Sequence, residues 1–201
     1  MNAYIAFHGP KRLAAGDLSR IATAVKDHFR DETVQDLLVF DARSHVVDID
    51  FRGNLQHVLL NLPPEPQQPE SVSEQSPSDT QRGPGRPKLG VIAKEVTLLP
   101  RHWDWLSTQP GGASVALRKL VEEARRANAD KDRLRAAQEI SYRFMSTMLS
   151  NEANFEEASR ALFAGQRDRF TELIAPWPDD LREHLAALAD ASFAVEKGDQ
   201  A

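Results

Sequence analysis

The sequence of 201 residues contains no cysteine. This absence excludes disulfide bonds, a thiol nucleophile, and any zinc or iron–sulfur site built on thiolates. Long apolar runs are also missing, because the longest, such as Val58–Leu60 and Val96–Leu99, are far shorter than the about 20 residues that cross a bilayer. The first residues lack the basic and then apolar order of a signal peptide. We therefore expect a soluble cytoplasmic protein.

The net charge of −5, from 25 basic and 30 acidic side chains, is unevenly distributed. Residues 1–80 sum to −5 and residues 136–201 to −6, whereas residues 81–135 carry 12 basic and 6 acidic side chains and sum to +6. Local charge sets the potential that a polyanion meets within about 10 Å. The acidic total therefore does not exclude a nucleic-acid-binding middle segment, although an ordinary solvated helix face would explain the same charges.

A segment rich in proline and serine divides the chain. Residues 63–88 contain 7 of the 12 prolines and Val72 as their single aliphatic side chain beyond proline. Such a segment cannot bury enough apolar surface to offset its chain entropy, which predicts a disordered linker. We predict four parts: a small α+β domain at 1–62, the linker at 63–88 ending in a basic arm, a strand–helix–turn–helix module at 89–128, and a helical bundle at 129–196.

The N-terminal part has the order strand, strand, helix, strand, strand, helix. Asp17 is placed to cap the first helix, whose apolar residues recur every three or four positions, and Asn54 is placed to begin a short second helix. The predicted strands are Tyr4–Phe7, Lys11–Ala15, Leu37–Phe40 and a fourth in which Val47, Ile49 and Phe51 alternate with aspartates.

The C-terminal part is predicted to be helical throughout. Apolar side chains recur at helical spacing around Phe144, Leu162, Phe170 and Leu185, which is typical of a packed bundle. The whole chain is therefore expected to belong to the α+β class, with a small N-terminal unit followed, after the linker, by a strand and a mainly helical bundle.

Residues 82–88, RGPGRPK, form a cationic arm. Guanidinium groups on an extended chain are attracted by the narrow minor groove of A·T-rich DNA. The arm resembles the AT-hook, whose core is Arg-Gly-Arg-Pro followed by a basic residue, although Pro84 stands where the first core arginine would be. The resemblance implies that Arg82, Arg86 and Lys88 contact DNA.

The next segment has the order of the ribbon–helix–helix DNA-binding fold, which it resembles. A β-branched and apolar stretch at Lys94–Leu99 predicts a strand, Pro100 begins a helix, and Ser114 is placed to cap a second helix after a glycine turn. Leu99-Pro100, Gly112-Ala113-Ser114 and Leu117-Arg118 match the family's motifs. The spacing between Pro100 and Ser114 is about one helical turn shorter than the family usually has.

The ribbon–helix–helix resemblance implies a homodimer whose paired strands lie in the major groove. By the same resemblance, Ser114, Val115 and Arg118 would hold the DNA backbone. Strand side chains at Lys94, Val96 and Leu98 would face the groove. Two of those three are aliphatic, where the family places polar side chains that read bases.

Two other structures remain open for the same residues. In a generic helix–turn–helix, Val115, Ala116 and Lys119 would be presented to the major groove. An ordinary helical hairpin without a nucleic-acid partner would show the same pattern of apolar residues.

The chain also resembles an uncharacterised bacterial family, domain-of-unknown-function family 2239. The residues that carry this resemblance are GRPKLGVIAKEVTLLPRHWDWLSTQPGGASVALRKLVEEAR, together with ALFAGQRDRF, LVFD and VDIDFRG. The family brings no established activity.

No constellation of catalytic residues is evident. Asp48 and Asp50 share a strand face near His45 and could hold a divalent ion, but alternating acidic residues are commoner on solvated strands. We expect no enzyme activity, no cofactor and no metal. The sequence favours a DNA-binding protein or transcriptional regulator that forms a homodimer, and the alternative is a non-catalytic protein-interaction module that binds a partner through its C-terminal helices.

Overall fold

The computed structural model describes residues 4–30, 33–63 and 94–193. The chain divides into two compact units, of which one comprises residues 1–65 with 128–201 and the other residues 66–127. Except for Pro63, the linker predicted at 63–88 lies outside the described residues. The arm residues Arg82, Arg86 and Lys88 lie outside them as well.

The described residues form three strands and seven helices. In chain order these are β1 (Tyr4–His8), β2 (Lys11–Gly16), α1 (Leu18–Phe29), β3 (Leu37–Asp41), α2 (Leu55–Leu60), α3 (Pro100–Ser107), α4 (Gly112–Met148), α5 (Phe155–Phe163), α6 (Arg167–Ile174) and α7 (Asp179–Phe193). The class is α+β, as the sequence predicts.

The three strands form an antiparallel sheet in the order β2-β1-β3. The fourth strand predicted around Val47 and Phe51 is wrong, because the segment contributes a single bridge between Phe40 and Val46. The backbone N–H of Val47 still donates to the carbonyl of Val39 at 2.7 Å. Farther along, Phe51 packs on the cluster beneath α1, and the Lys26 ammonium donates to the Gly53 carbonyl at 2.6 Å. The chain therefore pairs with β3 only around Val46 and then turns away from the sheet to pack against α1.

Both faces of the sheet are covered by helices. Tyr4 and Val39 belong to one buried cluster with α1, whereas Ile5, Phe7 and Phe40 belong to a second cluster with the C-terminal helices. This division follows from the alternation of side chains along a strand. The segments predicted as separate domains at 1–62 and 129–196 therefore share a core and lie in one unit.

The caps of the two N-terminal helices agree with the prediction. The Asp17 carboxylate accepts a hydrogen bond from the backbone N–H of Arg20 at 2.7 Å, and the Asn54 side-chain oxygen accepts from the N–H of His57 at 2.9 Å. The predicted apolar face of α1 is buried, comprising Leu18, Ile21, Ala22, Val25 and Phe29.

The C-terminal helices bury the apolar residues that the sequence predicts. Phe144, Leu162, Phe170 and Leu185 are all buried. Trp177, in the loop between α6 and α7, is 2% exposed, and its indole N–H donates to the Ala153 carbonyl at 2.7 Å. No helix among the residues described here is long and apolar enough to cross a membrane.

The unit of residues 66–127 differs from its prediction at two places. Residues 94–99 form neither strand nor helix, so the strand predicted at Lys94–Leu99 is wrong for the single chain, and no strand among the described residues pairs with this segment. The second helix begins at Gly112 instead of after a Ser114 cap, and it continues without a break to Met148.

Candidate nucleic-acid interface

The predicted site lies on residues 94–127, which we call the α3–α4 segment. Leu106 on α3 and Ala116 on α4 are its buried residues. The turn between the helices contains Gly111 and Gly112, whose φ angles are +85° and +74°. A Cβ at position 111 would come within 3.1 Å of the Val115 side chain. Glycine is therefore needed at position 111 both for the backbone conformation and for close packing.

The structure brings some of the predicted site residues together. Ser114, Arg118 and Lys119 are exposed on the first turns of α4, and the Arg118 Nε–H donates to the Ser114 carbonyl at 3.0 Å. Val115 is half-buried beside the glycine turn. These residues form one surface at the start of the helix.

The residues expected to read bases are less well grouped. Lys94 and Val96 are exposed, while Leu98 is half-buried, and all three lie in the non-regular chain before α3. They do not share the common strand face that the ribbon–helix–helix resemblance implies. The helix–turn–helix alternative fails at Ala116, which is 8% exposed and therefore cannot be presented to a groove.

The positive charge of α4 is partly neutralised within the helix. Arg125 and Arg126 both pair with Glu122, at 2.9 and 3.2 Å, and the hydrogen bond from Arg125 lowers the pKa of that carboxylate despite an opposing desolvation effect. By contrast, neither Arg118 nor Lys119 has an ion-pair partner among the described residues. The basic side chains of α4 in this unit that form no ion pair therefore lie near its N-terminus, where the helix dipole is also positive.

Large apolar side chains on the α3–α4 segment are exposed. Trp103 and Trp105 are 41% and 51% exposed, although their spacing suggests that one of them packs inward. Leu99, Leu120 and Val121 are also exposed. The spacing of apolar residues in the second helix predicts that Leu120 and Val121 face inward, and this prediction is wrong for the single chain, which leaves both exposed.

Two of the three residues considered for a divalent ion, His45 and Asp50, have other partners, and Asp48 is exposed. The His45 ring lies 3.1 Å from the Asp41 carboxylate, and Asp50 is held by Arg52 at 2.7 Å. Burial alone would raise the pKa of Asp41, but hydrogen bonds from the His45 and Arg43 backbone and from the His45 ring lower it. Within the described ranges, no group of three or more histidine, aspartate or glutamate side chains could hold a metal ion.

The protein is of the α+β class, with helices on both faces of a three-stranded sheet. Its second unit has cationic and apolar side chains exposed on its surface. Residues 3–189 match the model of the family described as "Uncharacterized protein conserved in bacteria (DUF2239)". The chain therefore belongs to this family. Comparison with curated proteins and with solved structures finds no match.

Proposed function

We propose that this protein is a cytoplasmic DNA-binding protein, acting as a transcriptional regulator and as a homodimer, without catalytic chemistry of its own. DNA would be contacted by the start of α4 and by the basic arm at residues 82–88. The observation that carries the proposal is the pair of exposed cations at Arg118 and Lys119, which have no carboxylate partner among the described residues.

The first turn of α4 supports contact with a phosphate. Backbone N–H groups at a helix start lack intrahelical acceptors, and the helix dipole favours an anion there. Ser114 adds an exposed hydroxyl, and Arg118 lies one turn farther along. Gly111 and Gly112 leave the preceding backbone without side chains that could block the approach of a phosphate. Contacts of this kind fix the position of a protein on DNA and carry no sequence information by themselves.

The exposed apolar side chains support the homodimer. Tryptophan and leucine at 41–51% exposure on one short segment are costly to leave in water, and aromatic residues are enriched at the centres of interfaces. A second copy would cover part of this apolar surface, including Trp105, and would present two cationic helix starts to one duplex. We expect the full chain to sediment at twice its mass of 22.4 kDa.

The dimer proposal is tested by a matched pair of variants. Trp105→Ser should shift the chain toward the monomer in sedimentation equilibrium. Phe163→Ser, which replaces a comparably exposed aromatic residue in the other unit, should not. A monomeric wild-type chain at micromolar concentration would contradict the proposal.

DNA binding is tested by a mobility shift on genomic fragments at low salt. Wild-type protein should retard the fragments, and the double variant Arg118→Ala and Lys119→Ala should retard them much less. Arg125→Ala with Arg126→Ala removes the same charge from cations already paired with Glu122, and serves as the control. No shift by the wild-type chain, or equal losses for both double variants, would refute the proposed contact surface.

A second candidate function is a protein-interaction module. It is favoured by a groove of about 440 Å³ between α6 and α7, lined by Phe170, Ile174, Ala186 and Ala189. Ala186→Leu would fill this groove, whereas Ala187→Leu adds the same atoms at an exposed position outside its lining. A partner protein that copurifies in stoichiometric amount with the Ala187→Leu variant but not with Ala186→Leu would favour this function.

A further inference from the structure

Two histidines outside the proposed DNA-binding surface lie side by side. His8 ends β1 and His28 lies in the last turn of α1, and their Nδ1 and Nε2 atoms are 3.1 Å apart. Twenty positions separate them in sequence, so neither the spacing of a helix nor that of a strand signals the pair. The fold alone brings the two imidazoles together.

The separation of the two nitrogens suits one shared metal ion. Imidazole nitrogens bind zinc at about 2.0–2.1 Å, so two of them lie roughly 3.3 Å apart at a tetrahedral angle and roughly 2.9 Å apart at a right angle. The observed 3.1 Å falls between these values. The distance between the two nitrogens therefore fits the binding of one ion, and each ring would turn so that its lone pair points at the ion instead of at the other nitrogen.

The surrounding residues hold the two rings in place. The Phe29 ring makes edge contacts with both imidazoles, each at a centroid distance of 4.9 Å, and Phe29 itself is buried. His8 is anchored by the pairing of β1 with β2 and β3. Because side-chain freedom is already restricted, little further entropy is lost when the two nitrogens bind one ion. The C-terminal end of a helix also favours a cation through its dipole.

We propose that His8 and His28 form a binding site for an exchangeable divalent transition-metal ion. Two imidazoles select ions that prefer nitrogen ligands, so Ni²⁺, Cu²⁺ and Zn²⁺ should bind, and Mg²⁺ and Ca²⁺ should not. Solvent molecules would complete the coordination, since His28 is exposed. In the ion-free pair one ring donates its N–H to the other. On binding, that proton moves to the ring's second nitrogen, so both facing nitrogens offer a lone pair.

The proposal is tested by calorimetric titration of the full chain, free of any polyhistidine tag, with NiCl₂ and ZnCl₂. Wild-type protein should bind one ion per chain, with no saturable binding of MgCl₂. His8→Gln and His28→Gln should each weaken the affinity at least tenfold. His57→Gln, at an exposed histidine that is not paired with another imidazole, is the control and should bind as the wild type does.

Folding of each variant is checked by circular dichroism. If His8→Gln unfolds, His28→Gln alone tests the proposal. This variant is expected to fold, because the His28 side chain is exposed at the end of α1. Bound Ni²⁺ should also raise the melting temperature of the wild type and of His57→Gln but not of His28→Gln. Unchanged affinity in His28→Gln, or no saturable Ni²⁺ or Zn²⁺ binding by the wild type, would overturn the proposal and leave a hydrogen-bonded pair of neutral imidazoles.

Discussion

At the scale of single residues, His184 shows how the shared core perturbs a titratable group. Its ring lies between Phe7 and Phe144, at centroid distances of 5.6 and 4.7 Å. Burial among these aromatic rings disfavours the charged imidazolium, and repulsion from Arg12 adds to the effect, so that the pKa falls from 6.5 to about 4. This environment is invisible in the sequence, because the three rings come from β1, α4 and α7.

The lowered pKa of His184 predicts a loss of stability in mild acid. Between pH 6.5 and 4 the unfolded chain binds a proton at this site that the folded chain does not, so the free energy of unfolding falls as the pH falls through this window. The contribution is constant above pH 6.5. Because the ring is only partly buried, we expect the loss to be about 1–2 kcal/mol rather than the full value of the shift.

The measurement is urea unfolding of the wild type and of His184→Leu at pH 7.5, 6, 5 and 4. Below pH 6.5 the free energy of unfolding of the wild type should fall relative to that of His184→Leu. A difference that stays constant across the range would show that His184 titrates normally.

At the scale of secondary-structure elements, local capping rules predict some helix starts and miss others. Asp17 and Asn54 cap α1 and α2 as expected, since each side chain reaches a backbone N–H three positions on. Ser114 does not cap α4, because the helix already includes the two residues before it, Gly112 and Ala113. A capping residue in the sequence therefore predicts where a helix begins only if the helix does not already include the residues that precede the cap.

The cap of α2 is expected to make a measurable contribution to stability. Asn54→Ala removes the acceptor of the His57 N–H and should cost about 1 kcal/mol, whereas Asn54→Asp keeps an acceptor and should cost little. Gln56→Ala, at an exposed position within the same helix, is the control. Chemical denaturation at pH 7 measures all three, and equal stability of Asn54→Ala and Gln56→Ala would contradict the assignment.

At the scale of the whole molecule, the sequence predicts the number and class of most elements but not their grouping. Tyr4–Phe7 and Leu37–Phe40 are apolar at every position, a pattern of strands buried on both faces. The N-terminal helices can cover only one of these faces. The remaining apolar face indicates that the C-terminal helices cover it. The sequence does not indicate which of these helices do so, because contacts between distant segments leave no periodic pattern in either segment.

The shared core predicts that the N-terminal segment does not fold alone. A chain of residues 1–62 would expose Ile5, Phe7 and Phe40, which are at most 8% exposed in the intact protein. We expect this fragment to lack a cooperative thermal transition or to aggregate, as measured by circular dichroism and light scattering. A soluble fragment with a native-like melting curve would show that the sheet is stable without the C-terminal helices on its second face.

The central claim, that the start of α4 contacts DNA, is tested most directly by the salt dependence of binding. Each phosphate contact adds about 0.9 to the slope of log affinity against log salt concentration. In the proposed homodimer the double variant Arg118→Ala with Lys119→Ala removes four cations, so fluorescence anisotropy on a DNA fragment retarded by the wild-type chain should give a slope smaller in magnitude by about 3.6. The slope should remain close to that of the wild type for Arg125→Ala with Arg126→Ala. Equal slopes for both double variants, or no salt-dependent binding by the wild type, would contradict the account.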